Sequence, residues 1–210
     1  MGLISNGTTM FDAGSVNAGG SMTFIKKISA SGAQTTSFVH GASSVVFDGT
    51  YKEYLFTFKG LHPAANACDF MFQVSTNGGS SYGVSMTSSY LQSQHYENGS
   101  NQGINGRDGT VNSLANSTGF QSISTADGIG NDNDQSGSGT LRFFNPAGTT
   151  FVKNWIADFT HYTNDNGSLR NLVAGDVNST SAVNAIQFKM NNGSADQNID
   201  AGDICLYGIS

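Results

Sequence analysis

The chain has 210 residues, of which Gly, Ser, Thr and Asn account for 93, whereas charged residues make up only 11%. These four residue types are poor helix formers and are common in turns, so the composition predicts short strands joined by polar loops. The formal net charge of −6 argues against nucleic-acid binding, which needs a basic patch. No stretch reaches the ~18 apolar residues of a membrane span, and the first residues lack a signal-peptide pattern. We therefore expect a protein that binds no nucleic acid, inserts into no membrane and is made without secretion.

The first 20 residues are small and polar, with Phe11 and Val16 as apolar anchors near their middle. They are too poor in large residues to form a core of their own, so we predict an N-terminal arm over residues 1–20. Residues 21–210 are enough for one β-sandwich domain of ordinary size.

The stretch from Tyr51 to Met86 alternates apolar and polar residues with the period of two that is typical of half-buried strands. The residues that share a face in three successive predicted strands are Tyr54, Phe56 and Phe58, then Phe70, Phe72 and Val74, then Tyr82, Val84 and Met86. Residues 76–80 (TNGGS) form a hairpin-turn signal between the second and third strands. The pattern predicts an antiparallel meander.

Residues 91–138 are predicted to form a loop-rich insertion, because apolar residues thin out and Gly, Asn, Ser and Asp dominate. Alternation returns after it. Residues 149–163 also fit a helical stripe, but their β-branched and aromatic residues favour a strand. The count of about nine to eleven short strands predicts an all-β fold, an antiparallel β-sandwich of jelly-roll type. The predicted core residues are Phe56, Phe58, Phe70, Phe72, Phe143, Trp155, Ile186, Phe188 and Leu206.

Signals for catalysis and for metal binding are weak. The chain has two glutamates, and its aspartates lie mostly in turn contexts, which leaves no clear pair of catalytic carboxylates. Asp132, Asp134 and Ser136 place oxygen ligands as in the first half of a calcium loop, but Phe143 stands where the bidentate Glu is needed. A solvated turn explains the same run. We predict no catalytic residue, no cofactor and no metal site.

Cys68 and Cys205 are the only cysteines in the sequence. They would close one long-loop disulfide, but two cysteines in a chain without a signal peptide are more often buried small apolar residues. Their pairing stays open at this stage.

Five aromatic side chains near predicted loops are candidate glycan contacts: Tyr90, His95, Tyr96, His161 and Tyr162. Their rings would stack on sugars, as in a carbohydrate-binding module. The same rings also suit the rim of the core, since large aliphatic residues are few. Both interpretations remain open.

Four segments resemble a family of virion structural proteins from tailed phages of marine bacteria. They are GLISNGTTMFDAGSVNAGGSMTFIKK (2–27), FVHGASSVVFDGTYKEYLFTF (38–58), GNDNDQSGSGTLRFFNP (130–146) and NIDAGDICLYGIS (198–210). The resemblance extends over almost the whole chain, including both ends. The segments contain no catalytic motif, so no functional residue carries over from the family.

The resemblance implies a non-enzymatic structural component of a phage virion, exposed on the particle as a tail fibre, tail tip or capsid decoration. Such a protein is assembled in the host cytoplasm and contacts other virion proteins. The alternative is a carbohydrate-binding or host-receptor-binding β-sandwich module, whose partner would be a host surface glycan.

We also predict a homo-oligomer. Ile25, Leu55 and Met71 fall on faces opposite the main core, where a second apolar layer needs a partner to cover it. Phe11 and Val16 of the arm are further anchors on a neighbouring copy. The resemblance favours a trimer, with copies tiled on a larger phage structure as the alternative.

Overall fold

The computed structural model describes residues 21–100, 102–106, 112–124 and 127–210, together with the backbone of three short N-terminal strands. This part of the chain contains strands and turns but no helix. In chain order the strands are β1 (Leu3–Ser5), β2 (Thr8–Asp12), β3 (Ser15–Val16), β4 (Met22–Ser29), β5 (Thr35–Val39), β6 (Glu53–Pro63), β7 (Asp69–Ser75), β8 (Met86–Tyr96), β9 (Gly103–Gly106), β10 (Gln121–Ser122), β11 (Gly137–Phe144), β12 (Lys153–Tyr162), β13 (Gly167–Val177), β14 (Ala185–Asn191), β15 (Asp196–Gln197) and β16 (Ile199–Ile209).

The strands form three antiparallel sheets. The large sheet has eight strands in the order β4-β16-β6-β11-β12-β13-β8-β9. The small sheet places β7 between β10 and β14, and β14 also pairs with β5 and β15. The N-terminal strands β1, β2 and β3 form the third sheet. The side chains of Phe11 and Val16, which were predicted to anchor the arm, lie outside the described residues.

Aromatic side chains from the large and small sheets meet between them and form the core. The rings of Phe58 on β6 and Phe70 on β7 pack edge to face with centroids 5.0 Å apart, and Phe72 packs on Trp155 of β12 at the same distance. All nine predicted core residues are buried. The all-β sandwich is therefore confirmed, whereas the strand order does not confirm a jelly-roll topology.

The predicted meander between residues 51 and 86 is wrong. Strand β6 belongs to the large sheet, β7 to the small sheet, and β8 begins only at Met86 and pairs with β13. The turn residues instead form a loop that crosses from one sheet to the other. Its start is fixed by Asn77, whose Oδ1 accepts hydrogen bonds from the Ser75 hydroxyl and the Ser81 amide, at 2.7 and 3.0 Å. The alternation identified the buried faces but not the sheet to which each strand belongs.

The chain itself covers the apolar residues that were predicted to need a partner. Met71 is buried because residues 112–124 cover the outside of β7, where the Gln73 side-chain amide donates to the carbonyls of Thr118 and Gly119 at 3.0 and 2.8 Å. Leu55 is also buried, and Ile25 packs against the core. These three residues therefore give no ground for an oligomer.

Cys68 and Cys205 are both buried and both carry free thiols. Burial raises the pKa of the Cys68 thiol to about 11, because the thiolate is disfavoured away from water. The two cysteines therefore serve as small core residues rather than as a disulfide.

Candidate functional site

The outer face of the large sheet is the surface opposite the sandwich core. Along β12, the side chains of Trp155, Ala157, Phe159 and His161 are buried, whereas the alternate residues face outward. Strands β13 and β8 alternate in the same way, so the three neighbouring strands present one continuous outer surface.

Four aliphatic residues lie together on this surface, and we call them the apolar patch: Leu91, Ile156, Leu172 and Ala174. Leu172 lies directly opposite Leu91, and Ile156 directly opposite Ala174, in the registers of β13 with its neighbours. Leu91 is 45% exposed, Ile156 47% and Leu172 37%. These residues line a shallow depression of about 340 Å³. These side chains form a small contiguous patch of exposed apolar surface.

Polar pairs border the apolar patch at both ends. On one side Arg170 donates from Nε and Nη2 to the two carboxylate oxygens of Asp158, at 3.0 and 2.7 Å. The hydrogen bonds from Arg170 lower the pKa of Asp158, so this pair stays charged. On the other side the Asn154 amide donates to the Asp176 carboxylate. The apolar patch therefore has polar pairs at both of its ends.

A second, larger depression of about 580 Å³ lies on the same face, where β12 and β8 end and β13 begins. Tyr162, Ser168 and His95 lie side by side across these three strands in register. Glu97 and Arg170 complete the part of the wall that carries charge. We call these five residues the Tyr162 depression.

The Tyr162 ring is held in place by Glu97. Its hydroxyl donates to Glu97 Oε1 at 2.5 Å. This hydrogen bond to a carboxylate raises the pKa of Tyr162 to about 12, so the hydroxyl keeps its proton at neutral pH. The depression thus combines an oriented aromatic ring with a carboxylate and a guanidinium.

The five candidate glycan contacts fall into two groups. The structure brings His95 and Tyr162 together at the depression, whereas Tyr90, Tyr96 and His161 are buried, and of these three only Tyr96 also lines the depression. The Tyr96 hydroxyl donates to Asp127 at 2.5 Å, which ties the end of β8 to the segment between β10 and β11. The alternation along β12 separates the two groups. His161 lies on the same inner face as Trp155 and Phe159, whereas Tyr162 lies on the outer face.

Sequence reasoning missed Glu97, Ser168 and Arg170 at this site. Glu97 was identifiable in principle, because it lies two residues after His95 and so continues the same face of the chain. Ser168 and Arg170 reach the site only through the pairing of β13 with β8 and β12, which no local pattern indicates.

The predicted calcium-like run forms a turn stabilised by its own side chains. The amide of Asp132 donates to Gln135 Oε1 at 3.1 Å, and the amide of Gln135 donates back to the Asp132 carbonyl at 2.9 Å. Within the described ranges, no three His, Cys, Asp or Glu side chains lie close enough together to hold a metal ion.

His62 fastens this turn to the large sheet. Its Nδ1 lies 2.7 Å from Asp200 Oδ1, and its Nε2 lies 3.2 Å from the carbonyl oxygen of Asp132. Both partners are acceptors, so the imidazolium, which donates from both nitrogens, fits best. Burial by itself would lower the pKa of His62, but the hydrogen bonds to Asp200 and to Asp132 outweigh it, and the pKa is raised.

Comparison with known proteins gives no match: no family model, no curated protein and no solved structure is similar to this chain. Across the residues that the structure describes, no helix is long and apolar enough to cross a membrane.

Proposed function

We propose that this chain is a non-enzymatic structural subunit of a tailed-phage virion, exposed on the particle as a tail fibre, tail tip or capsid decoration. It acts as a homo-oligomer, for which the resemblance favours a trimer, or as copies tiled on a larger structure. The observation that carries the proposal is the apolar patch, which lies open on a regular sheet face.

The occupant we propose for the apolar patch is another copy of the same chain. The charges of Arg170 and Asp158 at the rim compensate each other within the chain, so a second copy that covers the patch meets no uncompensated charge there. Repetition suits such a contact, because individually weak contacts become stable when many copies engage together.

The four resembling segments contain all of β1, β2, β3, β11 and β16, most of β4, the first half of β6 and the end of β5. Strands β4, β16, β6 and β11 are neighbours in the large sheet, whereas β1, β2 and β3 form the third sheet and β5 belongs to the small sheet. The apolar patch lies on the other half of the large sheet, on β12, β13 and β8.

Quantitative mass spectrometry of purified particles tests the proposal. Particles banded in a density gradient, with lysate of the infected host as the control, are expected to contain the chain at a constant number of copies per particle. A chain that stays in the lysate fractions and is absent from the particles would refute the virion assignment.

A carbohydrate-binding or host-receptor-binding module is the second candidate function. The Tyr162 depression favours it, because an oriented aromatic ring lies beside polar groups on an accessible face. This function is compatible with the first, since an exposed virion subunit has its outer surface available to the host.

A further inference from the structure

Two aromatic side chains, Tyr162 and His95, line the Tyr162 depression. They lie on strands β12 and β8, on either side of Ser168 on β13. Neighbouring strands are about 4.8 Å apart, so the backbones of β12 and β8 are roughly 10 Å apart here. The Tyr162 side chain reaches across towards Glu97, to which its hydroxyl donates, and its ring offers a stacking surface to a flat ring of a ligand.

The polar groups that line the Tyr162 depression can exchange hydrogen bonds with hydroxyl groups of a ligand. Glu97 uses Oε1 to accept from Tyr162 and keeps Oε2 as an acceptor. Arg170 uses Nε and Nη2 for Asp158, which leaves its Nη1 group as a donor without a partner among the described residues. Ser168 both donates and accepts. A ligand that presents hydroxyls around an apolar ring face can stack on Tyr162 and exchange hydrogen bonds with these donors and acceptors.

The charges at the depression favour a neutral ligand over an acidic one. The charge of Arg170 is compensated by Asp158, with which it forms a two-pronged pair at 3.0 and 2.7 Å. Glu97 is then left as the uncompensated charge on the wall, and the chain as a whole carries a formal net charge of −6. An acidic group placed here would meet a carboxylate without a free cation to offset it.

We propose that the Tyr162 depression binds a neutral pyranose unit of a glycan, with Tyr162 as the stacking platform and Glu97, Arg170 and Ser168 as hydroxyl partners. The depression is open along the sheet, so it accommodates one unit of an extended glycan rather than enclosing a free sugar. This inference rests on the second candidate function and not on the assembly of the virion.

Binding to a glycan array, followed by titration calorimetry on the array members that bind, tests the inference. The array carries neutral oligosaccharides of glucose, galactose and N-acetylglucosamine and acidic ones that bear sialic or uronic acids. The full chain is displayed multivalently, because single sites of this kind bind weakly. The expected result is binding to neutral members and none to acidic members.

Two variants and one control locate the site. Tyr162→Ala is expected to lower the affinity at least about tenfold, because the stacking surface is lost. Ser168→Trp replaces one hydroxyl partner with a bulky ring that fills the depression, and it is expected to abolish binding while Tyr162, Glu97 and Arg170 are kept. Phe151→Ala removes an exposed aromatic ring that lies outside the depression, and it is expected to leave the affinity unchanged.

The experiment distinguishes a failure of the proposed site from a failure of the carbohydrate-binding function. Binding of neutral glycans that neither Tyr162→Ala nor Ser168→Trp weakens would overturn this site while leaving the carbohydrate-binding function in place. No binding to any member of the array would overturn the inference and the carbohydrate-binding function together, whereas binding to acidic members alone would overturn the inference and leave the carbohydrate-binding function in place. None of these results would affect the virion proposal, which is tested on purified particles. Should Tyr162→Ala fail to fold, as judged by its circular dichroism, Ser168→Trp decides alone.

Discussion

Leu172 on β13 lies directly opposite Leu91 on β8, and both side chains point away from the sandwich core into solvent. Val173, which follows Leu172, and Tyr90, which precedes Leu91, also lie opposite each other, but they are buried on the inner face. The same pair of strands thus carries apolar residues on both faces, and only the inner face is covered by the small sheet. The outer pair is the centre of the proposed contact between copies.

We predict that Phe56→Ala destabilises the protein by about 3–5 kcal/mol, because a large cavity is left in a packed core. Phe56 is fully buried, and its ring packs against Phe38 and Phe188 with centroids 5.3 and 5.2 Å away. Denaturant unfolding measures the change. Phe151→Ala is the matched control, because Phe151 is 77% exposed, and its effect is expected to be close to zero. Equal effects of the two substitutions would contradict the core described above.

We predict that Asp69→Asn stabilises the protein at pH 8. Burial raises the pKa of Asp69 to about 7, and no side chain or backbone group of the described residues donates a hydrogen bond to its carboxylate. A raised pKa in the folded state means that stability is fully present below the unfolded value of 3.8 and is lost as the pH rises through the folded value. The gain from Asp69→Asn at pH 8 is therefore expected to be on the order of 2–4 kcal/mol.

The pH dependence of that gain identifies its cause. At pH 5.5 most of the folded chain carries a protonated Asp69, so the expected gain is smaller than at pH 8. Denaturant midpoints of both proteins at the two pH values provide the comparison. A gain of equal size at both pH values would show that the charge of Asp69 is not responsible.

We predict that His62 makes the protein more stable below pH 6.5 than above the raised pKa of His62. The folded pKa lies above the ordinary value of 6.5, so the stabilisation is complete below 6.5 and is lost as the pH rises through the folded value. The His62–Asp200 pair is partly exposed, which limits the effect to about 0.5–1 kcal/mol. His62→Gln is expected to remove this part of the pH profile.

Asp200→Asn provides the second test of the His62 contact. It removes the carboxylate partner and is expected to flatten the same part of the profile. His95→Gln is the control, because His95 is exposed on the outer face and is expected to leave that part unchanged. A profile that His62→Gln does not alter would mean that the contact with Asp200 contributes nothing to folding.

Alternation in the sequence predicted the faces of strands but not their partners. Trp155 and Phe159 are four residues apart, so they fit a helical stripe, and they also share the parity of a strand face. The buried Ala157 and His161 show that the strand is the observed structure. The alternation could not assign each strand to a sheet. Phe58 and Phe70 would both be apolar whether their strands paired within one sheet or faced each other across the core, as they do.

The candidate site was predictable to the same limited extent. Tyr162 and His95 were identified because they are aromatic and lie at strand ends, and parity alone would have assigned His161 to the interior. The meeting of Tyr162 with Ser168 and His95 requires three strands in register, which are set by contacts far apart in the sequence. The apolar patch also depends on strand register, because its four aliphatic residues come from three strands that lie far apart in the sequence.

The central claim is that another copy of the chain covers the apolar patch, and sedimentation of the purified protein tests it most directly. Ile156→Thr combined with Leu172→Thr keeps residues that favour strands but makes the patch polar. We predict that the natural chain sediments as a homo-oligomer at high concentration, whereas the double variant sediments as the 22.0 kDa monomer with an unchanged circular dichroism spectrum. Phe151→Thr, which alters an exposed apolar residue elsewhere, is expected to sediment like the natural chain. A natural chain that remains monomeric at high concentration, or a double variant that assembles equally well, would contradict the claim.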